Sequence, residues 1–183
     1  MTIDSGDAAS ALGEIDAITR KVRQSVFYRR ASLSLLLWGA LVFLGYVVTF
    51  AAPRQSTHAW TIVYVAGVTG SAAIGALNRS DARGGLDWRL ISAFALFLGF
   101  GLLCTLTFGG FGPRELSAFW PIYFMLPFTI VGLWAARGFV VMGAAVSALA
   151  LFGYFFVGGW FDLWMAFVNG GGLVFAGLWM RRA

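Results

Sequence analysis

Six runs of apolar residues, each 18–21 long, take up most of this chain: 31–50, 60–77, 90–108, 116–136, 139–157 and 160–180. At 1.5 Å per residue such a run makes a helix of about 30 Å, the thickness of the hydrocarbon core of a bilayer. In lipid a helix pairs its own backbone donors and acceptors, so helix is the form these runs take. The residue-by-residue alternation of a barrel strand is absent. Composition agrees: 60% of the 183 residues are hydrophobic and 11% charged, with a mean hydropathy of +0.81. A soluble domain carries about 25% charged residues. The expected fold is an all-α membrane protein whose six transmembrane helices form three antiparallel hairpins within residues 31–183. The joints at Arg137 with Gly138 and at Gly158 with Gly159 read as two-residue connections.

Arginine and lysine give the bundle a direction. Eleven of the thirteen lie before the first run, after the second, fourth and sixth runs, or ahead of the third; Arg54 and Arg114 alone fall on the other side. The basic side marks the cytoplasm, so both termini are expected there. The localisation expected is a bacterial inner membrane. The net charge of +5 is met by lipid head groups and topology, and no nucleic-acid partner is expected. No cleavable signal peptide is visible, because the apolar stretch begins only near Ala31 and acids precede it.

Residues 1–30 read as a separate cytoplasmic, amphipathic juxtamembrane helix. Leu12, Ile15, Val22 and Val26 recur at helical spacing. Acids occupy its first half and Arg20, Lys21 and Arg23 its second, in keeping with the helix dipole. Such a helix lies on a lipid surface or docks a partner or a second copy of the chain.

An internal repeat is legible. Phe43-Leu44-Gly45-Tyr46, Phe97-Leu98-Gly99-Phe100 and Leu151-Phe152-Gly153-Tyr154 place their glycines 54 residues apart both times. The even-numbered runs begin near Trp60, Trp120 and Trp164. Three similar hairpins inserted the same way up would give this pattern; so would the common preference of Trp and Arg for helix ends.

Charge is missing from the interior of every run; Glu115 and Asp162 fall near the outer surface. Proton relays and voltage sensors need intramembrane charge, and hydrolysis needs a nucleophile with its base. One histidine, His58, and one cysteine, Cys104, cannot supply a His/Cys metal cluster or a bis-histidine haem. Neither a catalytic residue nor a cofactor is expected.

The polar feature with most promise is Asn169-Gly170-Gly171-Gly172, about 14 Å into the sixth run. An amide followed by three glycines reads either as a local helix break that offers backbone groups to a ligand or as a close helix contact. Tyr46, Tyr64, Tyr123 and Tyr154 fall in the outer half of four different runs. They could line a pocket above Asn169 or form an interfacial belt. Pro121 and Pro127 interrupt the fourth run, where an interior proline bends a helix. Gly67, Ser71 and Gly75, and Ala144 with Ala148, form small-residue stripes suited to helix packing within the chain or in a dimer.

With Leu35-Leu36-Leu37-Trp38-Gly39-Ala40 opening the first run behind a charged N-terminal helix, the chain resembles a scattered class of small six-helix bacterial inner-membrane proteins. The class has no assigned activity, so the resemblance implies a fold and a location and transfers no residue roles. Length and helix number are also similar to those of the substrate-binding subunits of energy-coupling-factor vitamin transporters. Where those have an alanine-spaced coupling motif, this chain reads Ala31-Ser32-Leu33-Ser34-Leu35. Two functions follow as expectations. One is a non-enzymatic module that binds a membrane-protein partner or itself. The other is binding or transport of a small neutral or amphipathic solute near Asn169 and the tyrosines.

Overall fold

The computed structural model describes residues 29, 31–77, 88–135 and 137–182; the proposed docking residues Leu12, Ile15, Val22, Arg20, Lys21 and Arg23 lie outside them. The described residues form six helices and contain no strand. The first five are α1 (Ala31–Ala51), α2 (Ser56–Leu77), α3 (Trp88–Thr107), α4 (Pro113–Ala135) and α5 (Arg137–Phe156). The sixth has three parts in one unbroken rod: α6 (Phe161–Met165), a π-helical segment (Ala166–Gly171) and α7 (Gly172–Arg182). Five of the helices are long and apolar enough to cross a membrane; the apolar part of α3, Ile91–Thr107, is shorter. These are the helices of a membrane protein. Leu77, Leu106 and Trp134 are 86%, 79% and 81% exposed, an exterior that lipid tolerates and water does not.

The junctions follow local chemistry. Pro53 opens a single 3₁₀ turn, Pro53–Gln55, between α1 and α2, at a first-turn position where the missing N–H has no helical partner to lose. Gly158 turns the chain between α5 and α6 with φ +64°, a conformation that favours glycine. Arg137 and Gly138, expected to be a connection, instead belong to the first turn of α5. A Cβ on Gly138 would stand 3.2 Å from the Trp179 ring, so this glycine accommodates a tryptophan within a helix.

Glycine sets how closely the helices meet. On α1, a Cβ on Gly39 would stand 2.8 Å from the backbone nitrogen of Val174. From the other side, one on Gly170 would stand 2.7 Å from the backbone nitrogen of Phe43, and one on Gly177 3.0 Å from the Ser32 carbonyl oxygen. The fully buried Ser32 hydroxyl donates to the Gly177 carbonyl at 2.6 Å. Between α4 and α5, a Cβ on Gly132 would stand 2.7 Å from the Val140 nitrogen. Small residues allow such approach where helices have no hydrophobic drive to associate within lipid.

Two apolar clusters fill the spaces left. One joins Val42, Tyr46, Ala118, Ala150, Phe161, Met165 and Ala166; the other joins Leu35, Ala176 and Met180. The remaining helices pack at the flanks. α2 meets α1 through the Trp38 ring, which lies over Gly67 and donates from Nε1 to the Ser71 hydroxyl at 3.0 Å. α3 meets α4 through Phe97 stacked on Tyr123 at 4.2 Å, and through Gly101 beneath Trp120. Of the small-residue stripes, Gly67 and Ser71 therefore pack within the chain. Gly75, Ala144 and Ala148 are exposed, and α5 instead meets α4 through Gly143, against Met125 and Thr129.

Candidate functional site

The end of α1, the end of α5 and the starts of α4 and α6 come together at one end of the bundle, and their polar side chains form a connected cluster. It begins with a proline. Pro121 lies inside α4 and lacks the N–H that would bond the carbonyl four residues earlier. That carbonyl belongs to Ser117, and the Tyr46 hydroxyl donates to it at 2.8 Å. Tyr46 is 1% exposed, so an unpaired phenol there would be costly; proline on α4 and tyrosine on α1 satisfy one another's deficit. The Asn169 side chain lies near the same hydroxyl.

Asp162 stands seven residues before Asn169 on the sixth helix. It occupies the first turn of α6, where a negative charge complements the helix dipole. Its carboxylate lies near the Ser117 side chain and within electrostatic range of Arg114. Arg114, in the first turn of α4, donates from Nη2 to the Tyr154 carbonyl at 2.7 Å, one of the carbonyls left without a helical partner at the end of α5. Its guanidinium lies 5.4 Å from the Tyr154 ring centroid and 5.3 Å from that of Phe161, within cation–π range. The Tyr154 hydroxyl donates to Glu115 Oε1 at 3.2 Å. Two atoms remain without partners although both are buried: Arg114 Nε, a donor, and Asp162 Oδ1, an acceptor.

The structure brings together part of the set expected from sequence. Tyr46 and Asn169 meet in the interior, and Tyr154 joins the polar cluster above them. Tyr64 sits on α2, 42% exposed, tilted against Trp38 and Trp60. Tyr123 belongs to the α3–α4 contact, where its hydroxyl donates to the Phe97 carbonyl at 2.7 Å. Asn169 is 8% exposed within the π-helical segment. Gly170 presses on Phe43, Gly171 faces open space, and a Cβ on Gly172 would touch Val146 at 3.6 Å. π-helical turns are frequent at functional positions.

Arg114, Glu115, Ser117 and Asp162 escaped the sequence-based set because each falls at a helix start, where charge and hydroxyls are ordinary. One spacing points to Ser117, which stands four residues before Pro121. Among the described residues no group of three or more His, Cys, Asp or Glu could hold a metal ion. No protein-family model, curated protein or solved structure matches the chain.

Proposed function

We propose that the chain is a bacterial inner-membrane module that works by binding a membrane-protein partner or by assembling with itself, and performs no chemistry of its own. All six helices cross the bilayer as three hairpins with both termini in the cytoplasm, and the amphipathic residues 12–30 serve as the docking element. The short apolar part of α3 is met by a local thinning of the bilayer. The observation that carries this reading is the closed centre. Asn169 is buried, and Gly39 and Gly170 bring the α1 backbone against the sixth helix at the same level. The open surface lies at the flanks, where Val65 and Val68 on α2 and Leu96 and Phe100 on α3 are more than half exposed. Deleting residues 1–25 and purifying from native membranes tests the reading. Partners or oligomers are lost on deletion if it is right; an unchanged complement refutes it.

The polar cluster favours a second reading, in which a small neutral or amphipathic solute enters beside Tyr46 and reaches Asn169. Asn169→Leu and Gly171→Leu then abolish binding or flux in folded protein. Solute dependence indifferent to both substitutions excludes it.

A further inference from the structure

The geometry points to Arg114 as a latch with two alternative partners: the Tyr154 carbonyl, which it holds in this structure, and the Asp162 carboxylate, which it closes on when the last turn of α5 is released. The two buried atoms left without partners are complementary, a guanidinium N–H and a carboxylate oxygen, and belong to oppositely charged side chains near enough to act on one another electrostatically without forming an ion pair here. Burying an unmatched donor and acceptor is unfavourable, and a charged pair is favoured only when its hydrogen bonds are made. A turn of the guanidinium toward Asp162 makes them, and gives up the Nη2 bond to Tyr154. In this structure the guanidinium lies against the rings of both Tyr154 and Phe161.

The consequence is local and directional. The end of α5 is tied to α4 by the Arg114 bond and by the Tyr154–Glu115 bond. Losing the first leaves one of the two hydrogen bonds, and the α5 terminus lifts from above Ala118 and Tyr46. The interior polar groups, shut in here, then face the outer end of the bundle. For the solute reading this is the outer gate; as a motion it stands independently of any solute.

The test is thiol accessibility in nanodiscs, with Ala118→Cys as the reporter in a Cys104→Ser background; Ala118 is 8% exposed and outside the polar cluster. Arg114→Gln removes the closed-state bond and should raise the maleimide labelling rate several-fold. Asp162→Asn weakens the alternative partner, holds Arg114 on Tyr154, and should lower the rate several-fold. Opposite signs are the signature of a two-position latch. Rates that rise in both variants indicate simple loosening, unchanged rates indicate a fixed or water-bridged pair, and either result overturns the proposal. Thermal unfolding of each variant identifies any that fails to fold; for these, Arg114→Lys and Asp162→Glu replace them, with smaller shifts expected in the same directions. Labelling altered as expected without solute flux would leave the latch standing and remove the transport reading.

Discussion

A Cβ on Gly39 would stand 2.9 Å from the carbonyl oxygen of Gly170, so α1 and the sixth helix meet backbone to backbone at the level of Asn169. That contact sets the spacing of the two helices. It lies in the interior that also holds the buried Tyr46 and Asn169.

Neighbouring glycines in this segment should therefore differ sharply. Gly170→Ala forces α1 away from the sixth helix, because Phe43 backbone occupies the site; overpacking of this kind costs about 1–3 kcal/mol. Gly171→Ala meets nothing within 4 Å and gains up to about 1 kcal/mol of helix propensity. Equilibrium unfolding in mixed micelles should show the two changes with opposite signs.

Tyr46 and Pro121 should be coupled. Tyr46→Phe strips the Ser117 carbonyl of its partner, at a cost of about 1–3 kcal/mol for a buried acceptor. In a Pro121→Ala background the restored N–H of residue 121 reaches the same carbonyl, and the cost of Tyr46→Phe should fall. A double-mutant cycle on unfolding free energies measures the coupling; strict additivity would separate the two residues.

The repeated glycines should not be equivalent. Gly45 packs against Trp60 and Val63, and Gly153 lies under the Trp164 ring, whose Nε1 donates to the Leu149 carbonyl at 2.9 Å. Gly99 meets nothing within 4 Å, and Gly101 receives Trp120 in its place. Alanine at Gly153 or Gly101 should destabilise the protein by about 1–3 kcal/mol, whereas alanine at Gly99 should be neutral or slightly stabilising. Melting temperatures of the three variants decide the matter.

What sequence could reveal divides along physical lines. Helix formation in lipid is enforced by backbone hydrogen bonding, so the apolar runs and their length announced the helices directly. The helix starts were less legible: α2 begins at Ser56 and α4 at Pro113, ahead of the apolar runs, because a helix continues through polar residues once its first turn is capped by proline or an acid. Asn169 with its glycines was visible as a feature, but its two readings, a break or a close contact, rest on the same residues. The structure keeps the rod continuous, with a π-helical segment at that level. The polar cluster was hidden because its bonds join residues distant in sequence: Tyr46 to Ser117, Arg114 to Tyr154. Apart from the proline four residues after Ser117, nothing local to any of these positions marks the partner.

The central claim, a closed-centred bundle that acts through its periphery, is tested most directly by extracting the full-length chain from its own membrane in polymer-bounded native nanodiscs and weighing the particles. The account predicts more than one copy of the chain per particle, or one copy with a stoichiometric protein partner. Particles holding a single chain with lipid alone would contradict it.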